Sequence, residues 1–104
     1  MEKKVQTKFK GPKPLDQFHF VCRKLHYSPR TEKSYKHWVK RYIYFNNITH
    51  PIELDEKHIS NFLSHLAVTE TVSAATQNVA LNALVFLYKR VLGVELGDFS
   101  SMHL

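Results

Sequence analysis

The sequence predicts an all-α protein, a compact bundle of four helices packed around one core. Four stretches repeat apolar residues at intervals of three and four, the spacing that places them on one face of a helix. No stretch stands out as a strand or as an internal repeat. The chain of 104 residues is 43% hydrophobic and 12% aromatic, which is enough for one core and argues against wholesale disorder.

The helix around which the chain is organised is predicted over residues 28–47. Ser28 is suited to cap it, and Pro29 fits the first helical position, where a missing N–H costs nothing. Asn46 and Asn47 fit its end, because Asn tolerates the left-handed conformation. Its apolar face, which includes Trp38 as a core residue, comprises Tyr35, Trp38, Val39, Tyr42 and Phe45.

Three further helices are predicted over residues 15–26, about 56–67 and 73–92. Asp55 and Ser73 are suited to cap the second and third of these, and Gly93 stands where a helix commonly ends. The expected buried positions, helix by helix, are Phe18, Val21, Cys22 and Leu25; Ile59, Phe62, Leu63 and Leu66; and Ala80, Leu84, Leu87, Tyr88 and Val91.

These helices imply three regions. Residues 1–14, with five lysines, one glycine and two prolines, are expected to form a flexible basic arm. Residues 15–93 form the four-helix domain. Residues 94–104 lack periodicity and are expected to be a tail or the start of a linker.

Positive charge is concentrated at one end of the chain. Residues 1–41 hold 12 of the 15 Lys and Arg and 3 of the 9 Asp and Glu, a balance of +9, whereas residues 42–104 have a balance of −3. Such a distribution favours a polyanionic partner, either nucleic acid or an anionic membrane surface. The acidic residues Glu53, Asp55 and Glu56 are expected to face away from that partner.

The face opposite the apolar stripe of the organising helix carries a row of cations that ends in an aromatic residue. It comprises Lys33, Lys36, His37, Lys40 and Tyr44. Glu32 is the only acid between Arg23 and Arg41, so these cations lack acidic partners along the helix. A solvated helix face without a ligand is the alternative interpretation.

An exposed cationic helix can enter the major groove of double-stranded DNA and neutralise its phosphates. Arg30 and Thr31 stand where the helix dipole would help to hold a phosphate. The last helix begins with neutral groups suited to phosphates or base edges: Ser73, Thr76, Gln77 and Asn78. Simple helix capping is the alternative role of Ser73 and Thr76.

The sequence gives no catalytic, cofactor or metal signature. Its three glycines do not cluster into a phosphate-binding loop, and His58 and His65 lie seven apart without a third ligand. Cys22 is the only cysteine, which excludes an intrachain disulfide and favours a reducing cytosolic compartment. No apolar run is long enough for a membrane span or a signal peptide.

Four segments, in this order, resemble a known family: LHYSPRTEKSYKHWVKRYIYF, HPIEL, ISNFLSHLA and VSAATQNVALNALVFLYKRVL. They are similar to the N-terminal, core-binding domain of integron integrases, which are tyrosine recombinases related to phage integrases. The resemblance covers about residues 25–92. Its more specific positions include Tyr27 and Ser28, the run Arg30-Thr31-Glu32, Tyr35, and the run His37-Trp38-Val39.

The resemblance implies a four-helix, SAM-like core-binding domain that binds double-stranded DNA at attachment sites in the bacterial cytoplasm. In the family, this domain and a larger catalytic domain clamp the recombination site, and further integrase protomers complete the synaptic complex. The tyrosine nucleophile and its Arg, Lys and His assistants lie in the catalytic domain. This sequence lacks that domain, so we expect it to bind DNA without recombining it, and to be a monomer in isolation.

Two other functions are compatible with the sequence. A helical protein–protein interaction module with an incidental basic face would show no salt-dependent affinity for DNA. A peripheral membrane binder would use residues 1–41, although the bulky aromatics of the organising helix favour a core instead.

Overall fold

A computed structural model describes residues 14–96 of the chain. It contains four α-helices: α1 (Pro14–Lys24), α2 (Pro29–Phe45), α3 (Glu56–Ser64) and α4 (Ala74–Phe86). A 3₁₀ turn (Pro51–Glu53) precedes α3, and single π-helical turns extend α3 over His65–Thr69 and α4 over Leu87–Val91. Residues 14–96 contain no strand, which confirms the all-α prediction. Most of the predicted basic arm and residues 97–104 of the tail lie outside the described residues.

Three helices begin at the predicted caps. The side chain of Ser28 accepts a hydrogen bond from the backbone N–H of Thr31 at 3.1 Å, with Pro29 next in the chain. Ser73 accepts one from Thr76 at 3.2 Å. Asp55 forms a capping box with His58, in which the backbone N–H of Asp55 donates to the imidazole at 3.0 Å. These bonds satisfy backbone donors that a helix start leaves unpaired.

Each helix is followed by a residue in the left-handed region, but only one of these residues is glycine. His26 has φ +61°, Asn47 +60°, Thr71 +50° and Gly93 +66°, and Ile48, which follows Asn47, has φ +55°. Thr71 and Gly93 occupy equivalent places after the two π-helical turns. In both, the next backbone N–H reaches back six residues, from Val72 to Leu66 at 2.9 Å and from Val94 to Tyr88 at 2.8 Å.

The core lies where α2 packs against α4, with α1 and α3 covering the sides. Phe86 of α4 is surrounded by the rings of Phe18, Tyr27 and Tyr35, with centroids 5.2, 5.0 and 5.8 Å away. The predicted apolar face of α3 is buried throughout. Trp38 is 8% exposed and therefore belongs to the core, as predicted.

A short chain of hydrogen bonds runs through the apolar interior. The hydroxyls of Tyr42 and Tyr88 are 3.0 Å apart, and Tyr88 donates to the backbone oxygen of Pro51 at 2.7 Å. Because Tyr88 has only one proton, Tyr42 is the donor to it. Burial raises the pKa of both phenols, that of Tyr88 to about 12, so both hydroxyls stay protonated.

Two of the expected buried residues are exposed, and Val21, Tyr35 and Val91 are only partly buried against the core. Phe45 is 39% exposed, and its ring lies beside the rings of Phe62 and His65. Leu25 lies beyond the end of α1 and is exposed. Ile43, which does not belong to the predicted apolar face of α2, is buried in the core. Because α1 and α3 both contact α2, the buried surface of α2 is wider than the predicted apolar face and is displaced from it.

Glu70 links α2 to the segment that leads into α4. Its carboxylate accepts two hydrogen bonds from the guanidinium of Arg41 and lies 3.0 Å from Nε2 of His65. The Arg41 hydrogen bonds, aided by its charge and by His65, lower the pKa of Glu70. The guanidinium of Arg41 also lies over the ring of Trp38, with its carbon 5.7 Å from the centroid.

Trp38→Ala should lower the free energy of unfolding by about 3–5 kcal/mol, the usual cost of removing a large buried aromatic side chain. Urea denaturation followed by circular dichroism would measure this. Phe20→Ala, which removes an aromatic side chain that is 66% exposed on α1, is the matched control and should change stability by about 0.5 kcal/mol or less. Equal stability of the Trp38 variant and the parent would contradict the core assignment.

Glu70→Gln should destabilise the protein at neutral pH, and its difference from the parent should shrink as the pH falls. The folded-state pKa of Glu70 lies below its unfolded value. Its contribution is therefore complete above the unfolded pKa and is lost as the pH drops through the folded one. Denaturant titrations at pH 7, 5 and 3 would test this, with Glu95→Gln, an exposed carboxylate outside the helices, as control. A difference that stays constant with pH would contradict the ion-pair role.

Candidate nucleic-acid interface

The outward face of α2 presents the predicted cationic row to solvent. Arg30, Lys33, His37, Lys40 and Tyr44 are all exposed. Their spacing follows the helical period from the capped start of α2 almost to its end. The exposed ring of His37 contacts the buried ring of Trp38 edge-on, with centroids 4.8 Å apart.

Lys36 is placed differently from the other lysines of α2. It is half-buried on the side that faces α1, where it lines a pocket with Arg23 and Glu32. Its positive charge helps to lower the pKa of Glu32. The charge of Lys36 therefore acts on a buried carboxylate as well as toward solvent, whereas Lys40 and Lys33, which lines the same pocket, are exposed.

Glu32, the only acid on α2, is 6% exposed and lies between α2 and α1. Its Oε2 is 2.5 Å from Nδ1 of His19, and its Oε1 is 3.7 Å from Nε of Arg23. The hydrogen bond from His19 is the main cause that lowers the pKa of Glu32, against the opposing effect of burial. The carboxylate is thus ionised but hidden, so the exposed face of α2 carries no acid.

The hydroxyls of Thr31, Ser73 and Thr76, which were predicted to contact DNA, are paired within the starts of α2 and α4. The Oγ of Ser28 donates to the Oγ1 of Thr31, and that of Ser73 donates to the Oγ1 of Thr76, each at 3.1 Å. Thr31 and Thr76 are half-buried, whereas Ser73 and Asn78 are exposed. Capping leaves each threonine oxygen a free proton, so both threonines can still donate to a ligand.

Gln77 does not lie on the surface with its neighbours, which is a correction to its predicted role. It is 8% exposed, and its amide nitrogen donates to the backbone oxygen of Val72 at 2.8 Å. Its Oε1 is buried and accepts no hydrogen bond from the described residues. Gln77 therefore fixes the chain entering α4, while Asn78 projects outward.

The structure also gathers cations that the sequence pattern did not single out. Arg23 on α1 lies beside Glu32, Lys33 and Lys36. Lys89 and Arg90, in the turn that extends α4, line a separate open groove of about 300 Å³ together with Asn82, Tyr27 and Tyr35. Periodicity within one helix cannot reveal either group, because each draws on two helices.

The cysteine and two of the histidines, which could in principle support catalysis or metal binding, have structural roles. Burial is the main cause that raises the pKa of Cys22 to about 11, so its thiol is protonated and unreactive near neutral pH. His58 caps α3 and His65 pairs with Glu70. Within residues 14–96 no three His, Cys, Asp or Glu side chains are grouped to hold a metal ion. No described helix has the length and hydropathy needed to cross a bilayer.

The sequence matches known proteins across this same region. Residues 15–98 match the family described as phage integrase, N-terminal SAM-like domain. Over 84 residues the chain is 45% identical to proteins named integrase/recombinase from Escherichia coli and from Pseudomonas aeruginosa. These matches cover 81% of this chain and 25% of each relative, so the chain spans about a quarter of their length.

The family model covers the four helices, their caps and the cationic face of α2. The observed all-α bundle agrees with the SAM-like fold that the family's description names. On both grounds, the chain belongs to the phage integrase family, as an N-terminal SAM-like domain.

Proposed function

We propose that this domain binds double-stranded DNA at recombination sites, with little dependence on sequence, as part of an integron-type site-specific tyrosine recombinase. The observation that carries the proposal is the outward face of α2. Its exposed charges are all cationic, because Glu32, the one acid of that helix, is buried. Such a face can neutralise phosphates along a groove wide enough for an α-helix.

The starts of α2 and α4 extend the interface beyond the lysines of α2. Arg30 lies in the first turn of α2, where the helix dipole favours a phosphate. At the start of α4, Asn78 is exposed and carries both a donor and an acceptor, which suits contact with a base edge. Phosphate contacts would set the position of the domain on the duplex, and Asn78 would supply what sequence preference it has.

The family and the printed names of its relatives support a role in DNA integration and recombination. The integron assignment rests on the sequence segments around α2 and α4. In this proposal the cutting and rejoining of strands belongs to a catalytic domain outside these residues, and other integrase protomers join in the synaptic complex. The isolated domain is then a monomeric, cytoplasmic DNA-binding module without a cofactor.

Lys33→Ala and Lys40→Ala should each weaken duplex binding about equally for all sequences. Each should also reduce the slope of log K against log salt by roughly 1, because a lost phosphate contact no longer releases a counterion. Lys36→Ala should have a smaller effect, since its charge is partly engaged by Glu32. Fluorescence anisotropy at several salt concentrations, with and without an attachment-site sequence, would measure these slopes.

Lys57→Ala is the matched control for these lysines. It removes an exposed lysine from α3, beside Asp55 and Glu56, and should leave both affinity and slope unchanged. If the double variant at Lys33 and Lys40 shows the parent's slope, the outward face of α2 does not contact DNA. Salt-independent or absent duplex binding by the parent would favour the protein-interaction alternative.

Asn78→Ala should reduce discrimination between an attachment site and unrelated duplex while leaving the salt slope unchanged. A base contact contributes about 1–3 kcal/mol of discrimination and releases no counterion. Competition titrations with specific and random duplexes would measure the ratio of affinities. Asn61→Ala, which removes an exposed amide from α3, is the control, and equal ratios for both variants would rule out base contact by Asn78.

A further inference from the structure

The outer side of the crossing between α1 and α2 contains a pocket of about 190 Å³ that the sequence pattern gave no reason to expect. It is lined by Arg23 of α1 and by residues at the start of α2: Pro29, Glu32, Lys33 and Lys36. Three of these side chains are cationic, and Glu32 is the only anion among them. The pocket therefore has a net positive charge and suits an anionic ligand.

Glu32 and Arg23 form an ion pair at this pocket. The nearest contact between them joins Nε of Arg23 to Oε1 of Glu32 at 3.7 Å. That oxygen is buried and accepts no hydrogen bond from the described residues, so the guanidinium is the cation that compensates it. The other carboxylate oxygen contacts His19 one turn earlier on α1, which fixes the carboxylate itself.

The contact through Nε leaves the opposite edge of the guanidinium for another acceptor. The side chain of Arg23 is 59% exposed, and no described residue accepts a hydrogen bond from its terminal amino groups. That edge carries parallel N–H donors whose spacing matches two oxygens of a phosphate. Lys33 and Lys36 supply point charges on the same pocket wall.

We propose that this pocket is a subsite for one phosphate of the DNA backbone, in which Arg23 makes the contact and Glu32 is a positioning residue. The proposal rests on the DNA-binding function proposed above and adds α1 to the interface. It also assigns a role to the only acid of α2, which by charge alone would oppose DNA binding.

Glu32 could influence DNA binding through its charge or by orienting Arg23, and the two roles predict opposite effects of Glu32→Gln on affinity. If Glu32 acts only through its charge, Glu32→Gln removes a negative charge beside the interface and should strengthen binding. If Glu32 orients Arg23, the same change should weaken binding despite the gain in positive charge. Arg23→Ala should weaken binding about tenfold at low salt, the scale of one hydrogen bond to a charged group.

Three single variants, one double variant and a control separate these outcomes in duplex titrations. Arg23→Lys keeps the charge but loses the paired donors, and should bind more weakly than the parent. Lys24→Ala removes the neighbouring exposed cation of α1, which does not line the pocket, and should have a much smaller effect than Arg23→Ala. In the Arg23→Ala background, Glu32→Gln should no longer weaken binding. A merely structural role of Glu32 would weaken it in both backgrounds.

Titration of the parent with inorganic phosphate, followed through the NMR signals of the arginine Nε–H groups, tests the pocket without DNA. We expect the Arg23 signal to shift, and the shift to be absent from Glu32→Gln if that variant remains folded by circular dichroism. Duplex binding with equal losses for Arg23→Ala and Lys24→Ala would overturn the subsite. A phosphate-induced shift without duplex binding would overturn the proposed function and keep an anion site. Neither shift nor duplex binding would overturn both.

Discussion

The hydrogen-bonded pair of Tyr42 and Tyr88 constrains how the helices of this domain can pack. A phenol hydroxyl is costly to bury without a partner, and here each hydroxyl satisfies the other while Tyr88 also reaches Pro51. The bonds join α2, the π-helical turn after α4 and the turn before α3 within one apolar region. A shift of any of these three segments would leave a polar group unpaired inside the core.

This arrangement decides which side of α2 remains outside. With α4 packed against it and α1 and α3 at its sides, α2 exposes the arc that carries Arg30, Lys33, His37 and Lys40. The same packing buries Glu32 against α1, where His19 and Arg23 compensate its charge. The exposed charge of α2 is therefore a result of tertiary packing as much as of composition.

Local signals in the sequence predicted local features of the structure well. The caps at Ser28, Asp55 and Ser73 and the end at Gly93 depend on neighbouring residues and are found as predicted. The predictions were less accurate where two or more helices determine the outcome. Phe45 is partly exposed, Gln77 is buried and hydrogen-bonded to the backbone of Val72, and Lys36 lies on the side of α2 that faces α1.

In the candidate interface, too, features of a single helix could be predicted from the sequence, whereas features that depend on two helices could not. The cationic face of α2 could be predicted because helical periodicity alone places its members together. The contribution of Arg23 could not, because it depends on the angle at which α1 crosses α2. The sequence shows Glu32 only as the one acid of α2. Its burial beside Arg23, Lys33 and Lys36 depends on the packing of α1 against α2 and could not be predicted from composition.

The left-handed residues that end the helices affect the unfolded chain as well as the folded one. His26, Asn47 and Thr71 adopt a conformation that side chains disfavour, most of all for the β-branched Thr71 and for Ile48 next to Asn47. Glycine would relieve that strain, but it would also give the unfolded chain more backbone freedom to lose on folding. The two effects oppose each other, so the loss of conformational entropy is smaller in this chain than in one with glycine at all four ends. These positions offer a way to adjust the folding equilibrium without altering any side chain of the core or of the cationic face.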